Sequence, residues 1–285
     1  MNGDWIVEDQ APGVRLALEV RERLASVRTG YQDLEIVRTF ALGKAFFLDR
    51  RVMLTERDEA FYHEMLVHPA MLSHPCPERV AVVGGGDGGA LREVLKHPTV
   101  RSATLVEIDR EVVALSREHL PEVHRGAWDD PRVEVVISPA EEFLPQAPLA
   151  YDVLIVDSTD PVGPGEALFR REFLAAGRAA LRPGGWAAFQ AGSPFYYPDV
   201  ARGLVEELRG LFRDVVPYLG FVPSYPSGLW LYVLATDAGE VGDEAVRARF
   251  RERGLRTGYY TPRVGSAARA LPRFVAAALG VKEEA

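Results

Sequence analysis

The sequence of 285 residues contains a single cysteine, Cys76. No internal disulfide can form, and no CxxC pair or His/Cys cluster suggests a bound metal. Cys76 sits between prolines in His74-Pro75-Cys76-Pro77, which reads as a connecting loop. Basic charge is also scarce: 33 Lys and Arg stand against 41 Asp and Glu, a formal net charge of −8. A free-standing nucleic-acid binder carries the opposite balance, so nucleic acid is not an expected partner, whereas cations are attracted. No apolar run is long enough to span a bilayer. The opening MNGDWIVEDQ lacks the basic and apolar segments of a secretion signal. The expectation is a reduced, cytoplasmic protein without a membrane partner.

What remains is an ordinary globular composition, 47% hydrophobic and 26% charged. The chain is long enough for one large domain and a smaller one. Residues from Trp5 to about Leu54 read as short strands, among them Leu16–Val20, Leu34–Val37 and Ala45–Leu48, with turns at Gly30, Gly43 and Asp49. A small antiparallel sheet is expected there, followed by a helix from Asp58 to about Leu72. The proline-rich stretch from His74 to Pro77 then marks a break in the pattern.

From Arg79 onward the pattern alternates. Val80–Val83, Ala103–Val106, Val133–Ile137, Val153–Val156 and Trp186–Phe189 are strands. The strand at Val80–Val83 is apolar throughout, as in one buried on both faces. Helices are expected at Ala90–His97, Arg110–His119 and Leu168–Leu181, the last stopped by Arg182-Pro183-Gly184-Gly185. Such alternation implies a parallel sheet covered by helices. Val215–Phe221 and Leu229–Ala235 flank a loop too short for a parallel crossover, so they pair antiparallel. The predicted class is α/β: a methyltransferase-like Rossmann fold, a mostly parallel seven-stranded sheet ending in an antiparallel hairpin. A small N-terminal antiparallel β-domain over residues 1–56 precedes the catalytic domain, 57–285. The tail from about Asp243 to Leu279 reads as helical.

The loop Gly84-Gly85-Gly86-Asp87-Gly88-Gly89 follows the first strand of that sheet. Gly84, Gly86 and Gly89 satisfy G-x-G-x-x-G, a pattern shared by NAD, FAD and nucleoside sites. Glu107 ends the next strand, where an acid would hold ribose hydroxyls; otherwise it is a solvated strand end. Asp87 discriminates between ligands. A carboxylate facing a pyrophosphate at ~4 Å costs roughly 4 kcal/mol at an effective dielectric of 20, while an amine gains as much. Asp87 could also cap the following helix, which does not exclude ligand contact. Asp157 ends another strand, with Asp160 just beyond it. Ligands of open α/β sheets bind beyond those ends, so three aspartates are expected to converge on one crevice. They suit a ligand with ammonium groups, and one of them could act as a general base.

At these residues the sequence resembles the polyamine aminopropyltransferases, the spermidine synthase family. The likeness rests on Val83–Gly89, on Asp157-Ser158-Thr159-Asp160-Pro161-Val162-Gly163-Pro164, on Thr55–Glu59 with Tyr62-His63-Glu64-Met65, on Tyr31-Gln32-Asp33 and on Pro223–Gly228. It runs in order from about Trp5 to Thr236. The resemblance implies transfer of an aminopropyl group from decarboxylated S-adenosylmethionine to an amine, putrescine by default. The products are spermidine and methylthioadenosine. The nucleoside is a co-substrate, so no cofactor and no metal are implied, and the family forms dimers or tetramers.

The resemblance also assigns roles. Asp157 matches the proton acceptor, with Tyr62 and Tyr225 positioning the nucleophile; without the resemblance these are equally well buried aromatics. His63 and Asp160, with Ser158 and Thr159, match the polyamine side, although His63 could be a packed helix residue. Asp87 matches the anchor for the amine end of the aminopropyl chain. Gln32, Gly84, Gly86, Glu107 and Pro164 match the nucleoside side. Pro139-Ala140 departs from the family, which usually carries an acidic residue followed by glycine there. Adenine recognition then falls to the Ala140 backbone, Ser138 or Glu141. A second departure is Val264-Gly265-Ser266-Ala267-Ala268-Arg269, in place of a run with histidine and phenylalanine. Other readings are an amine N-methyltransferase on the same fold, which Asp87 opposes, an inactive polyamine- or nucleoside-binding paralogue, which the departures motivate, and a nicotinamide oxidoreductase.

Overall fold

The computed structural model describes residues 3–160 and 163–281, with the backbone alone at 163 and 164. The first five strands are β1 (Trp5–Ala11), β2 (Val14–Arg28), β3 (Asp33–Thr39), β4 (Lys44–Leu48) and β5 (Arg51–Thr55). They form one antiparallel sheet in chain order. β2 is not a short strand: it runs for 15 residues. Its pairing with β3 slips between Val20 and Glu22 and between Arg23 and Ala25, and those bulges interrupt the alternation that would have betrayed its length.

α1 (Glu59–Ser73) follows and is buried almost throughout. It carries an apolar surface on every side, as a central helix must. Its buried polar groups therefore need partners. Glu64 accepts the backbone N–H groups of Gly258, Tyr259 and Tyr260 at 2.7–2.8 Å, tying the C-terminal region to α1. His68 meets Glu93 and His97.

The alternating part consists of β6 (Arg79–Gly84), α2 (Gly89–Leu95), β7 (Ser102–Glu107), α3 (Arg110–His119), α4 (Pro121–His124), β8 (Val133–Ile137), α5 (Ala140–Phe143), β9 (Tyr151–Asp157), α6 (Arg171–Ala180), β10 (Leu181–Gln190), α7 (Pro198–Arg209), β11 (Asp214–Phe221) and β12 (Leu229–Thr236). The sheet order is β11-β12-β10-β9-β6-β7-β8; β12 runs antiparallel to both its neighbours and the other pairings are parallel. Alternate residues serve two cores. Val80, Val82 and Ile155 pack with α1 and α2, whereas Ala81, Val83, Leu154 and Val156 pack with Phe173 and Leu174 of α6 and Leu204 of α7.

Three expectations change in detail. The predicted helix Leu168–Leu181 begins only at Arg171, after a 3₁₀ stretch over Gly163–Phe169. Arg182–Gly185 bulges within β10, whose register to β9 jumps between Leu181 and Trp186. The tail is three short helices, α8 (Asp243–Glu252), α9 (Pro262–Ala268) and α10 (Arg273–Ala278), not one continuous helix. Among the described residues no helix is long and apolar enough to cross a membrane. Cys76 is exposed and unpaired.

The N-terminal sheet is fixed to the parallel sheet's helices. Leu34, Ile36, Phe46 and Leu54 pack on Val112 of α3 and Val123 of α4. Asp109, between β7 and α3, accepts the Thr29 hydroxyl at 2.6 Å and the Gln32 side-chain amide at 3.2 Å. This places Gln32 beside the carboxyl ends of the parallel strands.

Candidate active site

A cavity with about 860 Å³ of empty space, open to solvent, lies beyond the carboxyl ends of β6, β7 and β9. It takes Gln32, Phe46 and Met53 from the N-terminal sheet, Tyr62 and His63 from α1, and Gly84, Gly86 and Asp87 from the glycine loop. Glu107, Ala140, Asp157, Ser158 and Thr159 also line it, as does Tyr225. A second, smaller cavity shares Tyr62, Ser158, Thr159 and Tyr225 and extends to Asp160, Glu8, Gln190 and Trp230. Asp160 thus lines this adjoining cavity, while Asp87 and Asp157 line the first.

The glycine loop owes its composition to the acids and the ring packed against it. Gly84 and Gly85 have φ of +73° and +64°, open to glycine at little cost. A side chain at Gly85 would also meet Asp157 Oδ2 at 2.7 Å. A side chain at Gly89 would overlap the His63 imidazole. The pattern that resembles a phosphate loop is thus filled by carboxylates. Asp87 Oδ1 accepts the Gly89 N–H at 2.7 Å, so Asp87 does secure the start of α2 while lining the cavity.

Asp157 is the pivotal group. Its Oδ1 accepts the Tyr62 hydroxyl at 2.7 Å. Its Oδ2 is buried without a hydrogen-bond partner among the described residues. An orphaned buried carboxylate oxygen is costly unless a ligand supplies a donor. Burial pushes this carboxyl up to about 6, with His63 opposing and Asp87 adding to the rise. Burial likewise holds the Tyr62 and Tyr225 phenols well above their usual range, so both remain protonated. The Tyr225 hydroxyl donates to the Met53 backbone carbonyl, while its ring lies 5.5 Å from that of Tyr62.

Across the cavity, burial pushes Glu107 up to about 7, against the backbone N–H of Asp109, which donates to it at 2.9 Å. It is not a solvated strand end. Gln190 donates to the Ser158 and Thr159 carbonyls at 3.1 Å each, fixing the loop after β9. Asp160 stands 3.5 Å from Arg51. Burial raises its carboxyl, and Arg51 offsets part of that rise.

One donor from each of His63, Asp87 and Asp157 falls within 4.8 Å of the others, a spacing a metal could use. The ring chemistry disfavours it. Both His63 nitrogens face carboxylates, Nδ1 at 2.8 Å from Glu59 and Nε2 at 3.3 Å from Asp87. Asp87 and Glu59 hold the ring well above the usual histidine range, against the effect of burial, and a ring protonated on both nitrogens has no lone pair for a metal. The gap suits an ammonium instead.

Pro139 does not line the cavity. It precedes α5 and accepts from Glu142 and Phe143, whereas Ser138, Ala140 and Glu141 face the cavity. The Pro164 side chain lies outside the described residues. Gly265 lines a separate cavity between α1 and the tail, with Tyr218 and Tyr260, and so stands apart from the site. Both departures that motivated an inactive paralogue thus miss the acidic cluster. Sequence reading missed Glu8, Met53 and Trp230, apolar or isolated positions with no motif around them, and it gave no role to Glu59 or Arg92. The i, i+4 spacing of Glu59 and His63 on one helix is the signal that would have found the first of that pair.

A mostly parallel sheet closed by an antiparallel hairpin, with an acidic cavity beyond its carboxyl ends, defines a methyltransferase-like Rossmann protein. Residues 59–244 match the spermine/spermidine synthase domain, and residues 4–56 match the spermidine synthase tetramerisation domain. The chain belongs to the spermine/spermidine synthase family. It is 40% identical over 274 residues to a polyamine aminopropyltransferase of Caldicellulosiruptor saccharolyticus, covering 95% of this chain and 96% of that one. It is also 40% identical over 285 residues to one from Moorella thermoacetica, covering 100% of this chain and 99% of that one. A spermidine synthase crystallised with the transition-state analogue AdoDATO superposes with a TM-score of 0.95 at 36% identity, covering 99% of this chain and 97% of that one. The spermidine synthase of Thermotoga maritima gives 0.94 at 36% identity, covering 99% and 96%.

Proposed function

We propose that the protein is a polyamine aminopropyltransferase, moving the aminopropyl group of decarboxylated S-adenosylmethionine onto an amine, with putrescine the expected acceptor. The observation that carries this reading is Asp157: one oxygen held by Tyr62, the other buried, unpartnered and next to the cavity. An alkylammonium has no free lone pair. It donates a proton to Asp157, and the neutral nitrogen attacks the methylene carbon next to the sulfonium. The N–C bond forms, the C–S bond breaks with its electron pair moving to sulfur, and methylthioadenosine leaves as a neutral thioether. The sulfonium already activates the carbon, so the residues contribute alignment and proton removal.

The remaining side chains fit the two substrates. Asp87 takes the terminal ammonium of the donor and opposes ordinary S-adenosylmethionine, which has a carboxylate at that end. Glu107 and Gln32 hold the ribose and adenosine part, with Ser138, Ala140 and Glu141 beside the base. Pro164 belongs to this group by motif only. Ser158, Thr159 and Asp160 guide the acceptor, whose second ammonium extends towards Asp160 and Glu8. No metal or cofactor enters these steps. By its family the protein is expected to assemble as a homodimer or homotetramer and to work in the cytoplasm.

Incubating the protein with decarboxylated S-adenosylmethionine and a panel of amines tests the reading. The expected result is an acceptor heavier by one aminopropyl unit, found by mass spectrometry together with methylthioadenosine. Addition of a methyl group, or no product from any amine, would overturn it.

A further inference from the structure

Behind the cavity, buried charges run in an alternating row from Asp87 into the α1–α2 interface. His63 bridges Asp87 and Glu59. Both Glu59 oxygens then accept from Arg92, at 2.9 and 2.8 Å. Arg92 Nε donates to Glu93 at 2.7 Å, and a further Arg92 N–H donates to the Val123 carbonyl. Glu93 is closed off by His68 at 2.9 Å and Lys96 at 2.7 Å. Glu59, His63, Arg92 and Glu93 are all buried. Neither Glu59 nor Arg92 lines the cavity, so neither touches substrate.

The neighbours of the ring favour its doubly protonated state. The fork of Arg92 leaves Glu59 an acceptor only. Asp87 Oδ1 accepts the Gly89 N–H as well as facing His63. Nδ1 is hydrogen-bonded to Glu59 and Nε2 stands 3.3 Å from Asp87, and a ring flanked by two carboxylates favours a proton on each nitrogen. We propose that Glu59 and Arg92 are positioning residues that fix His63 as an imidazolium, and that this cation keeps Asp157 in its proton-accepting form beside Asp87. Without it, two carboxylates would face one small cavity, and like charges there favour sharing a proton. That proton would occupy the base.

The groups around the pair agree. Asp157 faces Tyr62 and His63 from α1, Asp87 from the glycine loop, and Tyr225 and Tyr232 from the β11–β12 hairpin. Among these groups His63 is the cation that acts on both carboxylates; Arg92 and the Gly89 N–H also lower Asp87, by less than His63. Burial disfavours a charged His63, but Asp87 and Glu59 outweigh it and hold the ring well above the usual histidine range.

This proposal rests on aminopropyl transfer as the reaction, and its test separates the two. Nitrogen-15 NMR of the ligand-free wild type at pH 7.5 should show both His63 ring nitrogens protonated; a neutral ring overturns the clamp whatever the turnover. In Glu59→Gln, which keeps the shape and removes the charge, the acid limb of kcat/KM should move up by about one pH unit. Its loss relative to wild type should then be roughly fivefold greater at pH 6 than at pH 8.5. An equal loss at every pH marks a merely structural role and also overturns the proposal. If Glu59→Gln does not fold, the wild-type spectrum alone decides. A wild type that transfers nothing overturns the reaction and leaves the NMR result standing.

Discussion

A carboxylate at the end of a buried strand is common, and what distinguishes Asp157 is the division of its two oxygens. Tyr62 occupies one and ligand is left the other. The Asp157→Asn variant should lose at least about a hundredfold in turnover, the usual contribution of a positioned base. It should bind methylthioadenosine nearly as well as wild type, as read by calorimetry. Tyr62→Phe removes a hydrogen bond that favours the ionised carboxylate. The folded pKa of Asp157 therefore rises from about 6, and the acid limb of kcat/KM moves to higher pH. An unmoved limb would show that the phenol does not govern the base. The motif around Asp157 was legible in the sequence. The pairing of Asp87 with His63 was not, since 24 positions separate them in the chain and only the fold brings them together.

At the scale of elements, the glycine loop and α1 form one unit. The loop was readable as a ligand loop, but the reason for Gly89 appears only when the His63 ring is packed against it. Gly89→Ala should displace that ring and cost about 1–3 kcal/mol, as overpacking of a buried site does. Thermal denaturation measures the loss, and an unchanged midpoint would contradict the packing. β2 and α7 show the two ways that elements escape a sequence reading. β2 hides its length behind bulges. α7 buries Ala201, Leu204, Val205 and Leu208, a helical i, i+3, i+4, i+7 spacing in a stretch that carries no motif. The strands β6, β7 and β9 were plain because each carries a short, largely apolar run and stands among helical periods.

For the whole molecule, the site exists only because two sheets meet. Gln32 reaches the cavity from the N-terminal sheet and is steadied there by Asp109, which also takes the Thr29 hydroxyl. Asp109→Ala removes both anchors. Donor affinity should fall about tenfold, the worth of one to two hydrogen bonds, with the acid limb of the rate profile unchanged. A shifted limb with normal affinity would contradict a purely nucleoside-side role. Composition had already turned the search towards cationic ligands, but only the folded molecule shows Asp160 lining a cavity that adjoins the one of Asp87 and Asp157. The most direct measurement is the pH dependence of methylthioadenosine release from decarboxylated S-adenosylmethionine and putrescine, wild type against Asp157→Asn. Base catalysis by Asp157 predicts release whose kcat/KM falls away below about pH 6 in the wild type and is all but absent in the variant. Release by Asp157→Asn at a near-normal rate, with the same acid limb, would contradict it.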